Sequence, residues 1–161
     1  MPSIECVLIV PTLSLRGKIL GTYFDSRPGG AGFRQAVACA RLSRISPEKS
    51  NMVTHFTVVN VIGAVGDDYH GVQIVSALAD ELVEFSDLVV IRDTSTNMLF
   101  VIKERRGRQA TVVVPSANLR FTEQDDPRGD SDFMNKLSRE IPGPWPDVLI
   151  LQPELMDLDF V

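Results

Sequence analysis

This 161-residue sequence is sparing in the residues that serve redox, metal and hydrolytic chemistry, with two cysteines, two histidines and one tryptophan. Cys6 lies in a strand-like apolar run and Cys39 in a small-residue segment. That pattern suits buried free thiols in a reducing compartment, not a disulfide framework. No Cys/His spacing suits zinc, and neither His55 nor His70 has a carboxylate or cysteine partner at ligand spacing. Positive charge is also scarce: the formal net charge is −5, whereas a nucleic-acid or anionic-membrane surface needs clustered Lys and Arg. The one basic cluster, ERRGRQ at 104–109, reads as a solvated hairpin tip. The longest early apolar run, VLIV at 7–10, is too short for a signal segment or a membrane span. The expectation is a cytoplasmic protein with no nucleic-acid partner and no membrane partner.

Against these absences stands a local richness in glycine. In PGGAGFRQAVACARL at 28–42, Gly29 and Gly30 are adjacent and Gly32 follows after one residue. Such a cluster lets the backbone approach another body closely. No Gly-Lys-Ser/Thr follows, so it is not a phosphate-cradling Walker loop.

Read for period, the chain alternates strands and helices. CVLIV at 6–10 predicts a buried strand, and a helix is predicted over 32–42 with Ala36, Ala38 and Ala40 allowing close packing. FTVVNVIGAVG at 56–66 predicts a strand running into a glycine turn, followed by a helix over 69–83. Asp67 and Asp68 read as caps of that helix. SDLVVIRD at 86–93 predicts a strand, and 97–118 a hairpin whose tip surrounds Gly107. A short helix is predicted over 131–141 and a further strand over DVLILQ, 147–152. Strands alternating with helices argue one α/β domain with a parallel sheet and an inserted hairpin.

Four segments in this order resemble the ribokinase-like carbohydrate kinases of the phosphofructokinase B type: PGGAGFRQAVACARLS at 28–43, IGAVGDDYHG at 62–71, VVVPSAN at 112–118 and DVLILQPEL at 147–155. The resemblance implies a three-layer αβα parallel-sheet domain over 1–161, truncated to the first half of a usual member, with a small β lid at 12–25 and 94–118. It places no nucleotide pocket, Asn-x-x-Glu metal motif or Gly-Ala-Gly-Asp base in this chain. No cofactor is therefore expected, ATP and magnesium entering only if a missing half completes the enzyme.

The implied substrate-binding residues are Ser14, Gly29, Gly30, Arg34 and Glu154, with no catalytic residue and no metal ligand. Where the family pattern is close to Gly-Gly-Lys-Gly-Ala-Asn-Gln-Ala, this chain has Ala31, Phe33 and Arg34. The guanidinium in place of an amide implies a small anionic sugar-like ligand. By register, Thr12 and Ser14 stand where the family's first strand delivers Asn-x-Asp, and Glu154 matches the glutamate that reaches the sugar. The expected role is a noncatalytic binding or assembly module derived from a sugar kinase. The alternative is the sugar-binding half of a kinase completed by another chain. A homodimer is expected through the lid hairpin or an exposed sheet edge.

Overall fold

A computed structural model of the chain describes residues 2–14, 16–44, 57–120 and 147–150. The first apolar run forms β1 (Ser3–Val10), which turns back into β2 (Tyr23–Gly29) and then into helix α1 (Ala31–Ser43). In α1 the buried residues are Phe33, Ala36 and Ala40, so the helix rests on a seam of one large and two small side chains. Ala38 lies on the opposite side and is exposed, as a period of 3.6 requires.

The strand expected over 56–66 is shorter in the fold. Only β3 (Gly63–Gly66) is continuous, preceded by a single bridge from Asn60 to Glu84. Helix α2 (Tyr69–Asp80) follows and stops before the expected Val83. Leu82 takes a left-handed φ of 53°, which ends the helix and turns Val83 back into the core, where it is 3% exposed. β4 (Leu88–Ile91), the hairpin β5 (Met98–Glu104) and β6 (Gln109–Val114), and the short helix α3 (Ala117–Arg120) complete the described elements. Gly107 has φ +94° at the hairpin tip, a conformation glycine adopts without strain. Residues 147–150 carry no strand, with Val148, Leu149 and Ile150 exposed. The remaining two residues of that expected strand, and the helix expected over 131–141, lie outside the described residues.

Two sheets result. One runs β2-β1-β5-β6 and the other pairs β3 with β4. β1 pairs parallel with β5, and β3 with β4, whereas β2 and β6 join antiparallel at the two edges. The larger sheet is therefore mixed and not wholly parallel: the short turn after β5 can return β6 only antiparallel, and the connection 11–22 brings β2 back antiparallel to β1. Alternation along β3 sends Val65 into a cluster with Ile74 and Leu78 of α2, and Ala64 to the other face with Ile91 and Ala117 of α3. Helices thus cover both faces of β3–β4, which is the α/β layering expected. Ile4 and Cys6 of β1 join the α1/α2 side.

Two buried asparagines hold this arrangement together. Asn97 Oδ1 accepts the backbone N–H groups of Ser116 (2.9 Å) and Asn118 (3.1 Å). Asn118, the last residue of PSAN, accepts from Ala64 N–H at 3.2 Å and donates through Nδ2 to the Pro2 carbonyl at 3.1 Å. Asn118→Ala leaves the fully buried Ala64 amide without its acceptor. The expected cost is about 2 kcal/mol, the usual penalty for an orphaned buried donor, and urea unfolding of the two proteins measures it.

Candidate ligand site at the glycine pair

β1 and β2 are registered with Ser3 opposite Gly29 and Glu5 opposite Arg27. That register carries Glu5, an acidic residue inside an otherwise apolar strand, beneath the glycines. Its side chain is 7% exposed. Glu5 Oε1 accepts a hydrogen bond from the Gly30 N–H at 3.0 Å and forms an ion pair with Arg34 Nη1. Gly30 caps α1 with φ +88°, and Arg34 sits one turn into the helix, its N–H bonded to the Gly30 carbonyl at 3.0 Å. A Cβ placed on Gly29 would come within 2.6 Å of Glu5 Cδ and 2.7 Å of its Cγ. The body lying against Gly29 is therefore the Glu5 side chain itself.

Of the residues expected at this site, Gly29, Gly30 and Arg34 come together and Ser14 does not. Ser14 is exposed and closes its own turn, its hydroxyl donating to the Arg16 carbonyl and accepting from the Arg16 N–H, both at 3.1 Å. A strand rises about 3.3 Å per residue, so β1 carries the chain on the order of 20 Å from Ser3, opposite Gly29, before Ser14 is reached. The carboxylate at the glycine pair comes from Glu5 instead. Its signal in the sequence was a lone charge in SIECVLIV, since a buried carboxylate must find a donor or a cation. Glu154 lies outside the described residues.

A second constellation underlies IGAVGDDYHG. Asp68 is the N-cap of α2, Oδ1 accepting from Gly71 N–H at 2.8 Å and from the Thr96 hydroxyl at 2.6 Å. Its Oδ2 accepts from Thr96 N–H at 2.9 Å, while the buried Thr96 hydroxyl also accepts from Gly66 N–H at 3.0 Å. Burial pushes the Asp68 carboxyl up. The bonds from the Thr96 hydroxyl, the Thr96 amide and the Gly71 amide, with His70 nearby, outweigh that and hold it below its ordinary value. Asp67 accepts from the Asp93 and Thr94 amides at 3.1 and 3.4 Å. These two aspartates are structural, tying β3 and α2 to the segment before β5. A separate groove of about 380 Å³ beside β2, bordered by Pro28, Tyr69 and Val72, includes neither Glu5 nor Arg34 in its lining. The carboxylate, the guanidinium and the glycine backbone meet at the glycine pair, apart from that groove.

The α/β layering with a strand hairpin beside it is a fold that solved structures share. The ribokinase of Giardia lamblia superposes with a TM-score of 0.64 at 23% identity, over 86% of this chain and 40% of its own. The Arabidopsis thaliana ribokinase, solved with ribose and ATP, superposes with a TM-score of 0.59 at 22% identity, over 73% of this chain and 34% of its own. The pfkB family carbohydrate kinase signature matches residues 3–138, and the chain belongs to that family. The ribokinase of Schizosaccharomyces pombe is 34% identical over 95 residues, 59% of this chain and 27% of that enzyme. The Bacillus subtilis ribokinase is 32% identical over 100 residues, 62% of this chain and 29% of that enzyme. The chain thus spans less than a third of the length of these curated relatives.

Proposed function

We propose that the chain is a sugar-side portion of a pfkB-family carbohydrate kinase that works as a noncatalytic binding and assembly module. The observation that supports it is the convergence of Glu5, Gly29, Gly30 and Arg34 at the start of α1. A carboxylate accepts from hydroxyl groups, and charge-assisted bonds of that kind are the stronger ones, about 1.5–3 kcal/mol each. Arg34 adds a planar fork of donors, which favours a small sugar-like ligand that also carries an anionic group. Among the described residues no cluster of three or more His, Cys, Asp or Glu side chains could hold a metal ion. The second reading is that it supplies the sugar side of an ATP-dependent sugar or nucleoside phosphotransferase completed by another chain.

Isothermal titration with ribose, ribose 5-phosphate and ATP tests the binding reading, and a magnesium–ATP turnover assay, run on the chain alone and with a second chain carrying Asn-x-x-Glu and Gly-Ala-Gly-Asp, decides between the two. Sugar binding without turnover is expected. Turnover that appears only when that second chain is present, and is lost in Glu5→Gln, would overturn the noncatalytic reading and leave the phosphotransferase; turnover by the 161-residue chain alone would overturn both.

The assembly half of the proposal rests on β5 and β6. β6 is an edge strand with Val112, Val113 and Val114 all exposed, and an uncovered apolar edge invites pairing. We propose a second copy of the chain as its partner. Val113 pairs with Leu99 on the face turned away from the core, whereas Phe100 packs against the α1/α2 cluster. Val113→Glu is accordingly the informative variant, and Phe100→Glu would report folding. Sedimentation should show a dimer at tens of micromolar that Val113→Glu converts to monomer; a monomeric parent chain would refute the pairing.

A further inference from the structure

The Glu5–Arg34 pair has a consequence for ligand choice that neither residue suggests alone. Arg34, considered by itself, is an anion receptor. In the fold its Nη1 is already engaged by a carboxylate that is 7% exposed and that also holds the Gly30 amide at 3.0 Å. The Arg34 side chain remains 59% exposed, so the guanidinium is free to exchange partners. Among the described residues a second cation, Arg27, stands directly across the β1–β2 ladder from Glu5, and Arg27 lies 3.8 Å from the Asp25 carboxylate. Among the described residues, the two cations that flank Glu5, Arg34 and Arg27, thus each have an internal carboxylate beside them.

We infer that Glu5 is an internal competitor for Arg34 and sets the specificity of the pocket: an anionic sugar-like ligand binds by displacing the Glu5 carboxylate from the guanidinium. The exchange balances in charge. The ligand anion takes Arg34, and the released Glu5 Oε1 accepts a hydroxyl of the same ligand while keeping the Gly30 amide. A neutral sugar can use only the second half of this exchange. A simple anion such as phosphate can use only the first, and it must then leave a buried carboxylate without its cation, which is costly. The pocket therefore selects molecules that carry both groups. This rests on the reading of the glycine pair as a ligand pocket, and Glu5 acts here as a specificity-determining residue.

Glu5→Gln tests it, because the amide oxygen preserves the acceptor for Gly30 while removing the charge that holds Arg34. Inorganic phosphate affinity should rise about tenfold in Glu5→Gln, the scale of one lost charge-assisted competitor, and should vanish in Glu5→Gln/Arg34→Ala. Ribose affinity should fall in the same Glu5→Gln variant. A ligand-independent readout is modification by phenylglyoxal, followed at Arg34 by peptide mass spectrometry: Glu5→Gln should react several-fold faster, with an unchanged circular dichroism spectrum. Unchanged phosphate affinity and an unchanged modification rate in a folded Glu5→Gln would overturn the inference. Should ribose bind the parent chain while Glu5→Gln gains no phosphate affinity, only the competition is refuted. Should no variant bind ribose, ribose 5-phosphate or phosphate, the pocket reading falls and the inference with it.

Discussion

Gly66→Ala is expected to destabilise the chain by more than about 3 kcal/mol. A Cβ at this position would stand 2.1 Å from the Thr94 carbonyl oxygen and 2.6 Å from both Ser95 C and Thr96 N. All three are backbone atoms, so no rotamer change relieves the overlap and the strand β3 or the segment 94–96 must move. That segment cannot move alone, because the Thr96 hydroxyl accepts from the Gly66 amide and donates to Asp68. Overpacking in a well-packed core costs about 1–3 kcal/mol and sometimes more; with the Thr96 bonds lost as well, a cost above about 3 kcal/mol follows. A domain of this size has only about 5–15 kcal/mol in all. Gly21→Ala is the control, since its Cβ would meet only the Ile9 carbonyl at 3.7 Å, an ordinary contact. Urea unfolding of the two variants measures the difference, and a gap under about 0.5 kcal/mol would contradict the packing described for β3.

Asp68→Ala is expected to have the second largest effect, near 3 kcal/mol. The residue is at once the cap of α2 and the acceptor for both polar groups of Thr96. Loss of an N-cap costs about 0.5–2 kcal/mol and each stranded donor adds about 1. The same bonds give a pH signature. Because the folded carboxyl is held below its ordinary value, the stabilisation is fully present above the unfolded value of about 3.9, and is lost as pH falls through the lower folded one. Wild-type stability should therefore decline below about pH 4 more steeply than that of Asp68→Asn, which has no proton to gain there. Parallel acid slopes for the two proteins would show that Asp68 contributes nothing to the acid limb. Above pH 5 the two curves should run parallel, offset by the weaker acceptor.

The glycines, the apolar periods and the hairpin were legible because each is a local property. The left-handed φ at Gly107 and the alternation that buries Val65 on one side and Ala64 on the other are dictated by neighbouring residues. Asp68 as a helix cap was equally local, three residues before the amide it accepts from. Element lengths were less so. Of the strand expected over 56–66, four residues form a continuous strand among the described residues, and α2 stopped at Asp80, where Leu82 turns left-handed and Val83 enters the core.

The site divides in the same way. Gly29, Gly30 and Arg34 sit in one continuous segment, and their proximity follows from the start of α1 alone. Their partner does not, since Glu5 is 25 residues before Gly30 and is brought there by the antiparallel register of β1 on β2. A shift of one residue in that ladder would turn Glu5 to the opposite face. Nothing in SIECVLIV fixes the register, and the family resemblance pointed instead to Ser14 in PTLSL, four residues beyond the end of β1. Thr96 and Asn97 escaped notice for a similar reason: each is an ordinary polar residue in a short connection until distant amides converge on it. By itself the sequence determined which segments fold as strand or helix and that a glycine pair must admit a close neighbour, because backbone sterics and apolar period act over a few residues. Only the tertiary structure decided that the neighbour is a buried carboxylate paired with Arg34, because strand register is settled by contacts between residues far apart in the chain.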